Sequence, residues 1–562
     1  MRRIRSRPRA AWGGAMPVAA SMMATAMMAG CGGNPFDPDQ VDMFALSQSS
    51  VSCGAEPGTT CAEVTLYATP INDMPKEVRP GWTEHPSDGK TLVIDHVHRN
   101  LQADGRWQLS VGFSNAMKPG LYNGTIELGT DPVGDILAPL PGKRKTVSFS
   151  YRVEVTADPA TRPALQAVAG AGDWTGAGGT ATRDGRVAVT VDPTKIKRRW
   201  TRALLPVAAS IAPTPLLSAG QVVLAGWRLE DANPLSGATV LNETDGTAVW
   251  SGALPMKPDR VLGLGDRLLF SRTTADGLLS DLAVVARGDA TVVDQATGVA
   301  DASEEGWTLG AGTLFVTGAG GGSVTARGLS DLKTPRWSTS TYNPPLGYGG
   351  FISWGLTVSG STVYANVGGH LLGFSTGDGS RVVDIAVPGK GPRLLLNTPL
   401  SQSPVLIDAS TAAVVTHRGT KAGEAVDNQL SVVDLAGGVT RWTAAGQFMD
   451  LPVAGNGVVY ASNQKTRAVE ARSAADGSLL WSWPMETADQ YLQRQMVLTN
   501  GHLFVSTDRQ TVALDLATHQ PVWRYGAGGV LGMSANGTLT LAMSRGGNAT
   551  PVTWLFVAFD VR

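Results

Sequence analysis

His96 and His98 stand one residue apart in a stretch that alternates as a β-strand, so both imidazoles fall on one face. A pair placed in this way can ligate a transition metal. No third ligand is evident beside it, and two exposed histidines on a strand account for the pattern without an ion. His417, next to Arg418, is expected on an inner strand lining a central channel, as a solvated polar position. Asp294, Asp434, Asp515 and Asp560 each follow a short apolar run. A carboxylate there caps the backbone N–H groups of a turn. The chain has no Walker phosphate loop and no Cys-x-x-Cys pair. The reading is therefore no catalytic residue and no metal site. Of three cysteines, Cys31, Cys53 and Cys61, the last two lie close together. In an oxidising compartment they form a disulfide, or else remain two free thiols.

The elements that must hold these residues announce themselves as a repeat. Ala513 to Trp523 (ALDLATHQPVW) reads as a strand, an Asp-type turn and a second strand carrying a Trp. Close copies are Val240 to Trp250, Val432 to Trp442 and Ala471 to Trp481; poorer ones are Val292 to Ala302, Arg327 to Trp337 and Gly373 to Val383. The turn position holds Gly246, Gly298, Gly379, Gly438 and Gly477, as a tight connection with positive φ requires. A second register of short apolar strands runs through Val222–Leu224, Leu268–Phe270, Leu314–Val316 and Val363–Ala365, then Ala413–Val415, Val458–Tyr460, Leu503–Val505 and Leu539–Leu541. Their spacing of roughly 45 residues is that of four-stranded propeller blades.

The ends of the array predict a closed ring rather than an open solenoid. The last strand stops at Ala558–Arg562, short of its Trp, and the missing half stands far upstream as Lys195-Ile196-Lys197-Arg198-Arg199-Trp200. Pairing the two completes the last blade and removes an open sheet edge. The fold class is thus all-β: an eight-bladed β-propeller over 173–562, preceded by a small β-sandwich. Trp200, Trp250, Trp337, Trp442, Trp481 and Trp523 are expected to wedge between blades and give their indole N–H groups to backbone carbonyls.

Upstream, 1–30 reads as a secretory leader: basic to Arg9, then an Ala- and Met-rich stretch ending Met28-Ala29-Gly30 before Cys31. Residues 31–46 read as a tether with two prolines, 47–156 as the sandwich, and 157–172 as an Ala/Pro/Gly-rich linker. Sandwich strands are predicted at Val64–Tyr67, Thr91–Ile94, Trp107–Val111, Gly124–Leu128 and Val147–Val153. The net charge of −1 becomes more negative once the leader arginines are removed, and no basic stripe exists, which argues against nucleic acid as a partner. Tyr342, Tyr348 and Phe351 lie with Pro344 and Pro345 in one interblade connection. They form either a contact patch or a loop tucked across the channel mouth.

Three resemblances follow from these residues. Cys31 at the cut resembles the lipobox of bacterial lipoproteins, which implies lipidation there; Gly32 after it, rather than Asp, implies the outer membrane. Lys118 to Ile126 (KPGLYNGTI) resembles a hairpin of immunoglobulin-like surface domains. The Ala-x-Asp…Trp repeats over Asp173 to Arg562 resemble propellers of the pyrroloquinoline quinone (PQQ) superfamily, whose members include dehydrogenases and cofactor-free scaffolds. Anchor and propeller together are similar to the BamB-like lipoproteins of outer-membrane β-barrel assembly. The resemblance implies a non-catalytic, cofactor-free lipoprotein facing the periplasm and binding another envelope protein. Its alternatives are a membrane-tethered dehydrogenase using PQQ and Ca2+, and a surface glycan-binding or adhesion protein.

Overall fold

The computed structural model of the chain describes residues 42–55, 63–71, 79–102, 104–114, 117–118, 120–130, 143–153, 164–207, 214–229, 237–250, 254–274, 279–301, 306–310, 312–317, 323–340, 355–367, 369–389, 403–417, 428–448, 451–486, 489, 491–493, 495–544 and 554–562. Cys31, Cys61, Tyr342, Tyr348 and Phe351 lie outside them. No helix among the described residues is long and apolar enough to cross a membrane.

Residues 42–153 build two four-stranded sheets. One runs in the order Phe44–Leu46, Val64–Pro70, Trp107–Phe113, Ile94–Leu101; the other in the order Ser50–Ala55, Lys145–Val153, Gly120–Thr130, Pro80–Pro86. Alternation along each strand turns Leu66, Leu109, Val111, Ile126, Phe149 and Tyr151 into one core between the sheets. Ser50–Ala55 pairs in parallel with Lys145–Val153; its partner sheet is antiparallel throughout. At the start of Gly120–Thr130, the Tyr122 hydroxyl donates back to the Lys118 carbonyl at 2.9 Å.

Downstream, eight sheets follow one another, and each is a blade. In seven the strands are laid down in order from the inside out, first 216–250, then 260–301, 307–340, 356–386, 405–446, 453–484 and 497–525. The eighth takes Val530–Met533, Thr538–Ser544 and Trp554–Asp560 from the C-terminal end and Lys197–Pro206 from upstream. Trp200 lies opposite Ala558 and Lys197 opposite Asp560, so the split motif is rejoined as its residues predict. Trp227–Leu229 adds a fifth strand to that sheet's edge. The innermost strand of every sheet packs on that of the next, and the last, Val530–Met533, packs on the first, Leu216–Ser218. The ring is closed.

Several expectations need correction. The sandwich begins before the proposed tether ends, because Phe44 is fully buried in its core. The strand predicted at Thr91–Ile94 starts at Ile94 and runs to Leu101, with Leu92 exposed. Val292 to Ala302 is no strand-turn-strand copy: Val292–Asp301 is a single outermost strand, and Gly298 lies at a bulge within it. The turn of that blade is made eight residues earlier, where Ala290 takes φ 62°. His417 ends the second strand of its blade, an inner strand but one removed from the axis.

Candidate functional site

The axis of a propeller is where a small ligand would sit, and here the chain's own backbone occupies it. Residues 168–192 make one circuit inside the ring. Val168 N–H donates to Ala535 in the eighth blade, and Trp174 exchanges a pair of hydrogen bonds with Leu217 in the first. The carbonyls of Thr175, Ala181, Thr182, Asp184 and Gly185 then accept from Gly263, Val358, Leu406, Ala454 and Leu498, innermost-strand amides of the second, fourth, fifth, sixth and seventh blades. Asp192 returns to Val561 at the eighth. Arg183 supplies the third blade: its guanidinium, buried, donates to the carbonyls of Trp307, Leu356 and Ala177. Burial also pushes the Asp184 carboxyl above its ordinary range, against the amide and charge of Arg186.

Glycine makes the circuit possible. Gly185 has φ 64°, and a Cβ there would lie 2.2 Å from a methyl of Val453. Among the described residues, a cavity of ≈ 20 Å³ lies beside Arg183, between Thr175, Ala181, Leu262 and Thr308. About one water fits in such a volume, whereas ligand pockets hold about 300–1,000 Å³. The proposed linker 157–172 therefore already belongs to the propeller at its end, through Val168. Nothing in the residue spacing of 173–192 signals that its carbonyls meet different blades.

The tryptophans hold one blade to the next. The indole N–H of Trp200 donates to Glu243 O at 2.8 Å, Trp250 to Arg287 O at 2.8 Å, Trp337 to Thr376 O at 3.0 Å and Trp442 to Ala474 O at 3.0 Å, each on the hairpin of the following blade. Where that hairpin turns on glycine, the ring covers it: Trp200 over Gly246, Trp337 over Gly379, Trp442 over Gly477. Trp481 stacks instead on His519, 4.8 Å between ring centres, because His519 takes the glycine's place at φ 61°. Trp523 packs edge-on against Phe559 at 5.6 Å, on the blade whose third strand has no hairpin to follow it.

Two blades lack the Trp and solve the joint differently. Opposite Val284 stands Asp294, whose carboxylate accepts the N–H of Leu332 in the next blade at 2.6 Å. Asp294 is thus an interblade clasp and not a turn cap. Asp560 is none either: it pairs with the buried Arg199 at 3.0 Å. Asp434 and Asp515 do cap their turns, accepting from Gly437 and from Ala517 and Thr518. The fourth blade carries Val383 opposite Gly373, and Gly438 beyond it faces open space. Residues 373–377 spell Gly-Phe-Ser-Thr-Gly, the letters of a nucleophile elbow, but lie on a β-hairpin where Ser375 Oγ accepts from Gly377 N–H.

A polar seam joins sandwich to propeller. Arg509, between the second and third strands of the seventh blade, pairs with Glu63 Oε2, while Glu63 Oε1 lies 2.9 Å from His96 Nε2 and 3.8 Å from His98 Nε2. No third partner for the two histidines is evident from spacing; Glu63, more than thirty residues upstream and just before the strand Val64–Pro70, supplies it. Hydrogen bonds to Asp95 and to Glu63 raise His96 to about 9. Burial pushes Glu63 up, but the His96 bond and the Arg509 charge bring it below its ordinary value. Burial lowers His98, opposed by Glu63. Cys53 is disulfide-bonded.

Residues 293–525 match the family described as outer membrane protein assembly factor BamB. BamB from Moraxella catarrhalis superimposes with a TM-score of 0.46 at 13% identity, over 65% of this chain and 99% of that one. The Dos1 propeller gives 0.44 at 11%, over 66% and 96%. Dihydro-heme d1 dehydrogenase NirN, in complex with DHE, gives 0.42 at 12%, over 60% and 75%. No curated protein matches the chain. Its ring of sheets and its interblade tryptophans make the fold a β-propeller, within which residues 293–525 match the PQQ-like family model.

Proposed function

We propose that the chain is a non-catalytic outer-membrane lipoprotein whose propeller is a protein-binding scaffold, serving outer-membrane protein assembly as the matched BamB family's description indicates. The filled axis carries this reading. A quinone with its Ca2+ needs a cavity and free polar groups, and the circuit of residues 168–192 already takes the innermost amides. What the molecule offers instead is its rim. Val382, Val439, Leu479, Leu480 and Val522 are exposed on the outermost strands of the fourth to seventh blades. Such strands carry free edges, to which partner chains can add.

The remaining assignments complete the proposal. Cys31 carries the lipid and faces the protein to the periplasm, Cys53 bonds Cys61, and Tyr342, Tyr348 and Phe351 form the contact loop. The N-terminal module is immunoglobulin-like: its two sheets have the strand order of constant-type domains, with the first strand split between them, and Tyr122 bonds backward as in a tyrosine corner. A second reading, glycan binding, draws on one observation. A groove of ≈ 690 Å³ on the sandwich is lined by Ser52, His85, Asn123, Thr125 and Ser150, hydroxyl and amide groups suited to sugars.

Affinity capture from detergent-solubilised envelopes tests the scaffold. Barrel-assembly proteins should be retained, and a Tyr342→Ala/Tyr348→Ala/Phe351→Ala variant should release them; enrichment of glycan alone favours the second reading. Adding PQQ and Ca2+ to the purified chain should give neither a titrating quinone absorbance nor dye reduction by sugars or alcohols. Either signal sinks the proposal.

A further inference from the structure

We infer that Glu63, His96 and His98 form a divalent transition-metal site at the seam between sandwich and propeller, with Zn2+ its best-suited occupant. Glu63 Oε1 and the two Nε2 atoms lie within 4.8 Å of one another. Two imidazoles and one carboxylate suit a zinc-like cation better than Ca2+ or Mg2+, which prefer all-oxygen shells. Contraction onto Zn–N and Zn–O distances of about 2.0–2.2 Å needs only small side-chain movements from separations of 2.9 and 3.8 Å. The fourth tetrahedral position is left to water.

The surroundings are built for this set. Asp95 Oδ2 accepts from His96 Nδ1 at 3.0 Å, which fixes the tautomer that presents Nε2 as a ligand. A bulge between Ile94 and His96 lets Asp95 point to the same side as its neighbour. Directly opposite His96 is Gly112, and a Cβ there would fall 2.3 Å from the imidazole. Gly112 has no positive φ, so space for the ring is its function. On the propeller side Arg509 holds Glu63 Oε2, leaving Oε1 for the cation, and Asp508 stands beside Arg509 at 3.8 Å. Three carboxylates and one guanidinium thus face the histidines, a net negative setting for a dication.

The test is Zn2+ titration of the tag-free, chelator-treated full chain by calorimetry. One equivalent should bind. His98→Ala, at a half-exposed residue, should weaken binding at least tenfold, and Asp95→Asn by about 10–100-fold as for other ligand-orienting carboxylates. Gly112→Ala should weaken it by displacing the ring. Melting curves of the metal-free variants, each expected to show a cooperative transition, separate ligand loss from misfolding. Zn2+ should raise the parent's melting temperature and leave that of His96→Ala/His98→Ala unchanged. Absence of uptake by the parent, or parent-like uptake by the double variant, overturns the inference.

Discussion

At the scale of single residues, the joints between blades are pairings of one tryptophan with one turn. Gly477 and Gly438 occupy the same turn position at φ 75° and 66°, but only Gly477 lies under an indole. Gly438→Ala should therefore cost only the positive-φ penalty, about 1–2 kcal/mol. Gly477→Ala should cost that and an overpacking penalty of about 1–3 kcal/mol against Trp442. Urea denaturation of the two variants isolates the stacking contribution by difference; equal losses would contradict the docking scheme. The vacant joint gives the reciprocal case. Val383→Trp places a ring over Gly438 and should stabilise the propeller by about 0.5–2 kcal/mol. Trp200→Ala, which removes a buried ring and its bond to Glu243, should cost about 3–5 kcal/mol. Half-exposed Trp481, which stacks on His519, should cost less. These pairings were legible because they are local: Ala or Val, a turn, then Trp recur at fixed distance. The Asp294 joint was not. A carboxylate near an apolar run reads as a turn cap, and only tertiary register reveals that it stands where its neighbours have indole.

At the scale of elements, the circuit of residues 168–192 is the least regular segment and among the most constrained. It has almost no secondary structure, yet it carries an amide acceptor for six blades and a guanidinium for a seventh. That combination escapes sequence reading for a physical reason. Period and amphipathicity report which face of an element is buried, but this segment has neither, since its contacts are backbone to backbone and come from strands up to hundreds of residues away. The strands themselves were readable, every second strand falling where its apolar triplet stands. Arg183→Ala should cost at least about 3 kcal/mol, because three carbonyls inside the ring lose a charged donor. Native-state hydrogen exchange supplies a check free of mutation. The amides of Val358, Leu406, Ala454 and Leu498 should exchange only by global opening of the propeller. Fast exchange at these positions would mean that the segment leaves the axis readily, and a ligand could then enter.

At the scale of the whole molecule, closure decides how the chain unfolds. Sandwich and propeller have separate cores, so two melting transitions are expected, and a mutation at the ring's joint should move only one of them. That joint is the eighth blade, where Lys197–Pro206 meets Trp554–Asp560, with Arg199 and Asp560 361 residues apart in sequence. Arg199 lies at its end with its side chain 1% exposed, bonded to Asp560 at 3.0 Å and reaching Thr244 O in the first blade at 3.3 Å. Asp560→Ala removes the carboxylate that the buried Arg199 guanidinium bonds, so the propeller transition should lose about 3–5 kcal/mol. Arg199→Met/Asp560→Leu removes both charges at similar volume and should recover most of that loss, because a buried pair contributes little beyond its own desolvation. The sandwich transition should stay in place in both variants. If the single and the double variant are equally damaged, the packing of these side chains at the seam, and not the charge between them, closes the ring. If the sandwich transition moves with the propeller, the Glu63–Arg509 contact couples the two bodies into one cooperative unit, and occupancy of the histidine site beside it would then set the stability of both.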